Sequence, residues 1–381
     1  MSRPDIVMFS GGTGCRSINI ALSERAVGLT RVVPAWDSGG SSKSIREGFG
    51  VLSIGDLRQA LMTMAHGEGC AGDVVRICNT RLSGGEDADA AAREFSYFAT
   101  GEYPLFKRMD PGLRGAILNY LRIFEANRPD HFDFRNGSIG NFILTGAYIA
   151  HNRDINTAIF VFKKICGIEG NVWPSTVLNT VELAAGLADG SEIARQHLIT
   201  RPGLGHAHRP ISRIELRVDG VPSPPAANEA VLEAIANADC VVFGPGSFYT
   251  SILPHLMVSG VVEALSANPR ARRVLIGNLL ECPETEGMTL SELLAVFADL
   301  WASQGGQPER ALDCVLANRE LFPFQKQTGS ATYLANGDLE GVSYSLGSEI
   351  IWGEFEDPWQ RGSHDGDAIA GALMALTARG I

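Results

Sequence analysis

The residues of this chain whose types and spacing could do chemistry are glycines that follow short apolar runs. The first apolar run, residues 6–9, leads into a turn at residues 10–14, and a second turn at residues 37–42 reads DSGGSS. Glycine lets the backbone N–H groups of a turn face a ligand, and a following helix N-terminus adds partial positive charge. Both features bind phosphate or other anions. The candidate phosphate-binding residues of these two turns are Gly11, Gly12, Thr13, Gly14, Gly39, Gly40, Ser41 and Ser42.

A third turn of the same kind, GPGSFYTSILP, follows the apolar run at residues 240–243. Hydroxyl groups cluster where its helix should begin. For Ser247 and Thr250, capping of that helix is the alternative role. The candidate ligand-binding residues of this turn are Gly244, Gly246, Ser247, Tyr249 and Thr250.

Two acids and two arginines accompany the first two turns. A carboxylate at Asp37 would repel bound phosphates unless a cation intervened, and Mg²⁺ takes one or two carboxylates together with phosphate oxygens and water. Asp37 and Asp56 could supply these ligands, although Asp56 could instead cap a helix. Arg46 and Arg58 could clamp a phosphate, or could simply pair with the two acids.

Two asparagines stand where a ligand could be recognised. Asn141 starts a predicted helix and Asn278 ends a predicted strand, so each could bind a ligand hydroxyl or base, with capping as the alternative. His206 and His208 share a loop without a third candidate metal ligand nearby, which favours a surface loop. His364 and the aspartate after it are expected to fix the last helix.

Composition narrows the class of protein. An apolar fraction of 45% indicates a large buried core, and the net charge of −11 over 381 residues argues against a nucleic-acid binder. The seven cysteines form no CxxC pair, which predicts reduced thiols in a cytoplasmic protein rather than zinc or disulfides. We expect no secretory signal and no membrane span, because GPGS, a proline and a histidine interrupt the uncharged stretch at residues 241–262.

The elements that must position these residues alternate between strand and helix. Strands are predicted at residues 6–9, 32–35, 240–243 and 273–276, and a helical insertion at about residues 66–135. Such alternation predicts a parallel sheet with right-handed crossovers. Because open parallel sheets bind ligands at the carboxyl ends of their strands, the three turns should share one crevice. We predict a single α/β domain over residues 1–381, a Rossmann-like three-layer sandwich that closes on a helix at residues 367–377.

The chain does not match two well-known nucleotide-binding sequence patterns. Counted from Gly12, the third position of the dinucleotide pattern GxGxxG/A is Ser17. The Walker loop pattern lacks a glycine before Lys43. NAD binding is therefore the weaker interpretation.

Six motifs resemble, in this order, the motif series of the CofD-like superfamily, which includes the phospholactate transferases and the gluconeogenesis-factor (YvcK-like) proteins. They are GGTG at residues 11–14, DSGGSS at 37–42, GDLRQAL at 55–61, SIGN at 138–141, GPGSFYTSILP at 244–254 and HDGDAIAGAL at 364–373. The resemblance implies a Rossmann-like three-layer fold and a nucleotide-diphosphate ligand. The third and fifth motifs look closer to the gluconeogenesis-factor branch, whose members bind UDP-sugars. In the transferase branch, acidic residues of this region hold a divalent cation.

The chain departs from the family pattern in four places. Ser38 replaces a second acid, Lys43 replaces a glycine, Gly137 replaces a histidine, and Cys282-Pro283 replaces a Gln-Pro-Gly before a Glu-Thr pair. We expect a nucleotide diphosphate or nucleotide-sugar in the crevice, with Asp37 and Asp56 as catalytic and Mg²⁺-binding residues of a CofD-like transferase of a phosphate-linked group. The alternative is a non-catalytic UDP-sugar-sensing regulator, and an NAD-dependent oxidoreductase is a distant third. The sequence is compatible with a homo-oligomer and does not decide the oligomeric state.

Overall fold

Strands and helices alternate along most of the chain in a computed structural model. The structure describes residues 3–12, 14–39, 42–66, 70, 72–85, 87–200, 210–319 and 326–378, with only the backbone of Ser42. The predictions for Thr13, Gly40, Ser41, His206 and His208 lie outside the described residues. The described strands are β1 (Asp5–Phe9), β2 (Gly28–Val33), β3 (Asn171–Pro174), β4 (Val181–Leu187), β5 (Glu192–Ile193), β6 (Ile211–Val218), β7 (Val221–Pro222), β8 (Cys240–Phe243), β9 (Arg272–Ile276), β10 (Cys314–Asn318), β11 (Gln327–Thr328), β12 (Ala331–Thr332) and β13 (Glu349–Gly353).

Helices connect and cover these strands. The described α-helices are α1 (Arg16–Ser23), α2 (Ser42–Phe49), α3 (Ile54–Thr63), α4 (Gly72–Asn79), α5 (Ala88–Ala99), α6 (Pro111–Asn127), α7 (Ile139–Ala150), α8 (Ile155–Cys166), α9 (Gln196–Ile199), α10 (Glu229–Asn237), α11 (Val261–Ala267), α12 (Leu290–Ser303), α13 (Leu339–Ser345) and α14 (Gly366–Ala378). A π-helix, Phe248–Ile252, and the 3₁₀ helices Pro104–Arg108, Leu253–Met257 and Pro308–Arg310 complete the set.

The central sheet has seven parallel strands in the order β13-β10-β9-β8-β1-β2-β3. Strands β1 and β8 are fully buried apart from Asp5, which is typical of a sheet covered on both faces. Helix α1 packs against α3 and α14, while α10 contacts β1, β3 and α11. The predicted Rossmann-like α/β fold with a mostly parallel sheet is confirmed.

The direction of strand addition reverses beside β1. The chain adds β2 and β3 on one side of β1 and then returns to place β8, β9, β10 and β13 on the other. The carboxyl ends of β1 and β8 therefore flank a topological switch point, where open α/β sheets bind their ligands.

A helical region separates β2 from β3. It includes α4, α5 and α6, within the range predicted as an insertion, but helices already begin at α2 and continue through α8. Phenylalanine rings pack in its core mostly edge-on or tilted, and the centroids of one stacked pair, Phe95 and Phe134, lie 4.5 Å apart. Whether this region is a subdomain of a single domain stays a prediction.

Two smaller sheets complete the fold. Strands β5-β4-β6-β7 form an antiparallel sheet, and β11 pairs with β12. Strand β2 ends at Val33 rather than at residue 35, because Pro34 has no N–H to continue the ladder. Among the described residues, no helix is both long and apolar enough to cross a bilayer.

Candidate functional site

The first and third glycine turns pack directly against each other at the switch point. A Cβ on Gly14 would lie 2.6 Å from the carbonyl oxygen of Pro245, and a Cβ on Gly244 would lie 2.6 Å from Cys15 Sγ. Cys15 Sγ also donates to the Pro245 oxygen over 3.5 Å. Both glycines therefore have a packing role, since any side chain would push the two turns apart.

Asp56 lies against the first turn. A Cβ on Gly12 would approach Asp56 Oδ1 to 2.5 Å, and the Gly12 N–H donates to the Asp56 carboxylate. Asp56 is in the first turn of α3, whose N-cap is Ser53. The alternative of Asp56 as an N-cap is therefore wrong, and its carboxylate is turned toward the glycine turn instead.

Asp37 lies in the turn after β2 and acts on Asp56 through its charge. The Gly39 N–H donates to Asp37 Oδ1 over 3.2 Å, and Ser53 Oγ donates to Oδ2 over 3.3 Å. Both interactions favour the carboxylate, but burial is the larger effect and raises the pKa of Asp37.

The charge of Asp37 acts on Asp56. Burial and then the charge of Asp37 raise the pKa of Asp56 to about 7. A buried carboxylate whose ionisation is opposed by a second carboxylate fits a divalent cation, which would relieve the repulsion. Within the described part of the chain, no group of three or more metal-ligating side chains occurs. A cation here would therefore need further oxygens from a ligand or from water.

Arg31 is a site residue that sequence reasoning missed. It lies in β2, is completely buried, and donates to Ser10 Oγ over 2.7 Å and to the Gly11 carbonyl over 2.6 Å. Burial lowers its pKa, while the charge of Asp56 raises it. An arginine inside an apolar strand was the available signal, because full burial of a guanidinium needs specific partners.

The two predicted arginines have different partners. Arg58 donates through Nε to Asn141 Oδ1 over 3.2 Å, and burial lowers its pKa to about 10. Arg46 donates to the Asp37 carbonyl over 3.2 Å and to the Val181 carbonyl. Arg58 and Asn141 are thus brought together, whereas Arg46 joins the second turn to β4.

A buried glutamate occupies the start of the third turn's helix. Glu284 accepts from the backbone N–H groups of Tyr249 and Thr250 over 3.0 and 3.1 Å, from the Thr250 hydroxyl over 2.6 Å, and from the Ser247 side chain. Burial raises its pKa to about 7. These donors are satisfied inside the protein. The predicted ligand roles of Ser247 and Thr250 stay predictions, and Glu284 was not among the predicted residues.

The remaining predicted residues of this turn are also engaged within the protein. The Tyr249 hydroxyl points to Met288 Sδ, 3.8 Å away, and burial raises its pKa to about 12. Asn278 Nδ2 donates to the Gly246 carbonyl over 2.9 Å, and the Gly246 N–H donates back to Asn278 Oδ1 over 3.2 Å. Asn278 therefore fixes the shape of the GPGS turn, and its contact with a ligand stays a prediction.

The His-Asp pair near the end of the chain has the expected structural role. Asp365 Oδ1 accepts from the N–H of Ala368 in the first turn of α14 over 3.0 Å. His364 Nε2 lies 3.1 Å from the Gly277 carbonyl oxygen, and burial lowers its pKa to about 4. The neutral histidine joins the last helix to the loop after β9.

Fold and site together define a class: an open parallel α/β protein with two packed glycine turns and buried acids at its switch point. The family model of 2-phospho-L-lactate transferase CofD matches residues 6–347, and the chain belongs to this family.

Relatives from several bacteria are similar over almost the whole chain. A protein of Listeria innocua named gluconeogenesis factor is 28% identical over 98% of this chain and 96% of its own. A protein of the same name from Listeria monocytogenes is 28% identical with the same coverage. A crystal structure of a UPF0052 family member from Bacillus halodurans matches with a TM-score of 0.71 at 23% identity, covering 98% of this chain and 99% of that one. This last likeness supports the fold.

Proposed function

We propose that the crevice between the β1, β2 and β8 turns binds the diphosphate of a nucleotide or nucleotide-sugar, together with Mg²⁺ at Asp37 and Asp56. One observation carries the proposal: the buried Asp56 carboxylate lies against the first glycine turn, and the charge of Asp37 raises its pKa further. A bound cation would remove that penalty, and a diphosphate would supply the oxygens that the protein lacks.

Different groups of the protein would bind the phosphates and position the turn. Backbone N–H groups of the first turn would bind the phosphates, apart from that of Gly12, which donates to Asp56. Arg31 supports the same turn through the Gly11 carbonyl. Arg58 and Asn141 present a fixed guanidinium–amide pair at the other side of α3. When bound, Mg²⁺ would neutralise part of the diphosphate charge, the contribution that phosphoryl-group chemistry most needs.

The activity that follows from this binding mode is transfer of a phosphate-linked group, as the name of the family states. A second candidate is ligand sensing without turnover. It is favoured by the neutral hydroxyl of Ser38, which follows Asp37 and bonds His197 Nδ1 over 2.8 Å. The Listeria relatives are named gluconeogenesis factor, a name that states no transferase activity. Phosphorus NMR of nucleotide-sugars incubated with the protein and an acceptor alcohol would separate the two, because transfer to the alcohol breaks the bond to the nucleotide and gives a new phosphorus species.

The binding proposal predicts a loss of Mg²⁺ dependence in Asp37→Asn. Wild-type protein with Mg²⁺ should gain about 2.7 kcal/mol of stability at a ligand concentration of about 100 times Kd. We expect UDP- or GDP-containing ligands to raise the melting temperature and NAD(H) to have no effect. In Asp37→Asn the ligand-induced shift should no longer respond to Mg²⁺, because one of two carboxylate ligands is gone.

Asp130→Asn is the matched control, since Asp130 is an exposed aspartate. It should behave as wild type. Unchanged Mg²⁺ titrations in Asp37→Asn would refute the metal assignment, and tight NAD(H) binding without a response to nucleotide diphosphates would refute the ligand class.

A further inference from the structure

The amino-terminal edge of the central sheet, opposite the glycine turns, has a cavity of about 310 Å³. Its walls come from residues just before β1, from the start of β2, and from the loop between α8 and β3. The glycine turns follow the other ends of β1 and β2, so the length of the sheet separates this cavity from the proposed diphosphate site. The volume lies in the range of about 300–1,000 Å³ that is typical of small-molecule sites.

The floor of the cavity is apolar. It is formed by Leu22, Val27, Leu29 and Met64, each of which is at most 3% exposed. A Cβ on Gly170 would lie 2.6 Å from the Leu29 carbonyl oxygen and 2.6 Å from Met64 Cε, so the wall at this glycine is closely packed. A floor of this kind would take an apolar group of a ligand out of water.

Three helices end at the cavity. Ser23, Met64 and Gly167 line it, and they are the last residue of α1 and the C-caps of α3 and α8. A helix C-terminus carries partial negative charge, which favours a cation nearby. The last turns of α1 and α3 contain no basic residue, unlike that of α8. Arg25 donates to the Ala21 carbonyl at the end of α1, but it does not line the cavity.

The rim carries three polar side chains, those of Arg3, His66 and Glu169. The described part of the chain supplies no hydrogen bond or ion pair to the side chains of Arg3 and Glu169, and none to the buried Nε2 of His66. Cys70 Sγ donates to the His66 carbonyl over 3.3 Å and to the Gly167 carbonyl over 3.4 Å. Burial and then the charge of Glu169 raise the pKa of Cys70, so this carboxylate lies near the ends of α3 and α8.

These rim groups define the chemistry of a ligand. The Glu169 carboxylate and the helix ends would bind an ammonium group. The Arg3 guanidinium would bind a carboxylate, and His66 Nε2 can donate or accept a hydrogen bond. A ligand with one ammonium and one carboxylate would pair both charges of the rim, and its apolar part would cover the floor.

We propose that this cavity binds an α-amino acid with an apolar side chain, its ammonium group at Glu169 and its carboxylate at Arg3. The inference goes beyond the proposed function and does not depend on it, because the two sites lie at opposite ends of the strands and the test needs no nucleotide.

Calorimetric titration with L-leucine tests the site, with glycine, isoamylamine and 4-methylpentanoate as comparison ligands. Glycine lacks the apolar side chain, isoamylamine lacks the carboxylate, and 4-methylpentanoate lacks the ammonium group. We expect L-leucine to bind at least about tenfold more tightly than each of them, because each has lost one of the three contacts.

The decisive variant is Glu169→Gln, which changes an exposed side chain and leaves the apolar floor intact. It should weaken the binding of L-leucine at least about tenfold, since the ammonium group loses a charged partner. It should not weaken the binding of 4-methylpentanoate, which has no ammonium group. Glu24→Gln is the matched control, because Glu24 is an exposed glutamate at the end of α1 that does not line the cavity, and it should bind L-leucine as wild type does.

Absence of L-leucine binding by wild type, or equal affinities for L-leucine and glycine, would overturn the proposal. Isoamylamine that bound as tightly as L-leucine would overturn the amino-acid class, because the carboxylate would then contribute nothing. An equal loss in Glu169→Gln and Glu24→Gln would overturn the placement of the ammonium group at Glu169. None of these results would affect the diphosphate site, which is tested with nucleotides.

Discussion

At the scale of single residues, the site contains three acidic side chains that are largely buried from solvent. Asp37, Asp56 and Glu284 all have raised pKa values, chiefly because of burial. Their environments differ, however. The charge of Asp37 acts on Asp56, whereas Glu284 is surrounded by N–H and O–H donors. Asp37 and Asp56 are therefore suited to a cation, whereas Glu284 stabilises the start of the helix after the GPGS turn.

Glu284 has a predictable effect on stability. Its pKa is about 7 in the folded protein against an ordinary value of 4.5, so folded protein binds more protons than unfolded chain between these pH values. The contribution of protonated Glu284 to the free energy of unfolding is therefore complete below about pH 4.5. It is lost as the pH rises through 7.

Glu284→Gln cannot ionise and should remove this loss. We expect the fall in unfolding free energy between pH 4.5 and pH 8, measured by urea denaturation, to be smaller than in wild type by about 1–3 kcal/mol. The control is Glu286→Gln, an exposed neighbour, which should keep the wild-type slope. Equal slopes in Glu284→Gln and wild type would show that Glu284 ionises normally.

At the scale of elements, the β1 and β8 turns act as one unit. Gly14 approaches the Pro245 backbone so closely that a methyl group would sit 2.6 Å from its oxygen. Gly14→Ala should therefore destabilise the protein by about 1–3 kcal/mol and weaken nucleotide-diphosphate binding.

Gly371→Ala provides the opposite case. Gly371 is an exposed residue of α14, and a Cβ there meets nothing within 4 Å. Thermal unfolding should show a gain of about 0.5–1 kcal/mol, since alanine restricts the unfolded chain more than glycine. If Gly14→Ala were as well tolerated as Gly371→Ala, the close packing of the two turns would be disproved.

The sequence predicted the strands and turns better than the side-chain contacts between distant segments. Apolar runs and glycines located β1, β8, β9 and the turns after them, because these signals are local. The clamp from Asn278 to Gly246 and the Glu284 cap join segments more than thirty residues apart in the chain. No local pattern distinguishes such a clamp from a ligand contact. Arg31 was missed for the same reason, since its partners Ser10 and Thr63 come from two other segments.

At the scale of the whole molecule, the strand order places all the proposed diphosphate contacts on one edge of the sheet. Hydrogen–deuterium exchange with a nucleotide diphosphate and Mg²⁺ should therefore slow the amides near residues 10–14, 37–39 and 54–58. The region that includes α5 and α6 should serve as an internal reference with unchanged rates. Protection confined to that helical region would place the ligand elsewhere.

The contact between the first and third turns also constrains how the chain can change. Cys15 and Pro245 are 230 positions apart, yet the sulfur of one meets the carbonyl of the other. A substitution that enlarges one turn must be matched by a compensating change in the other, so their effects should be strongly non-additive. A chimera that exchanged only the N-terminal half with a relative would combine the first turn of one protein with the third turn of the other. A functional transplant of this crevice must carry β1 and β8 together with both of their turns.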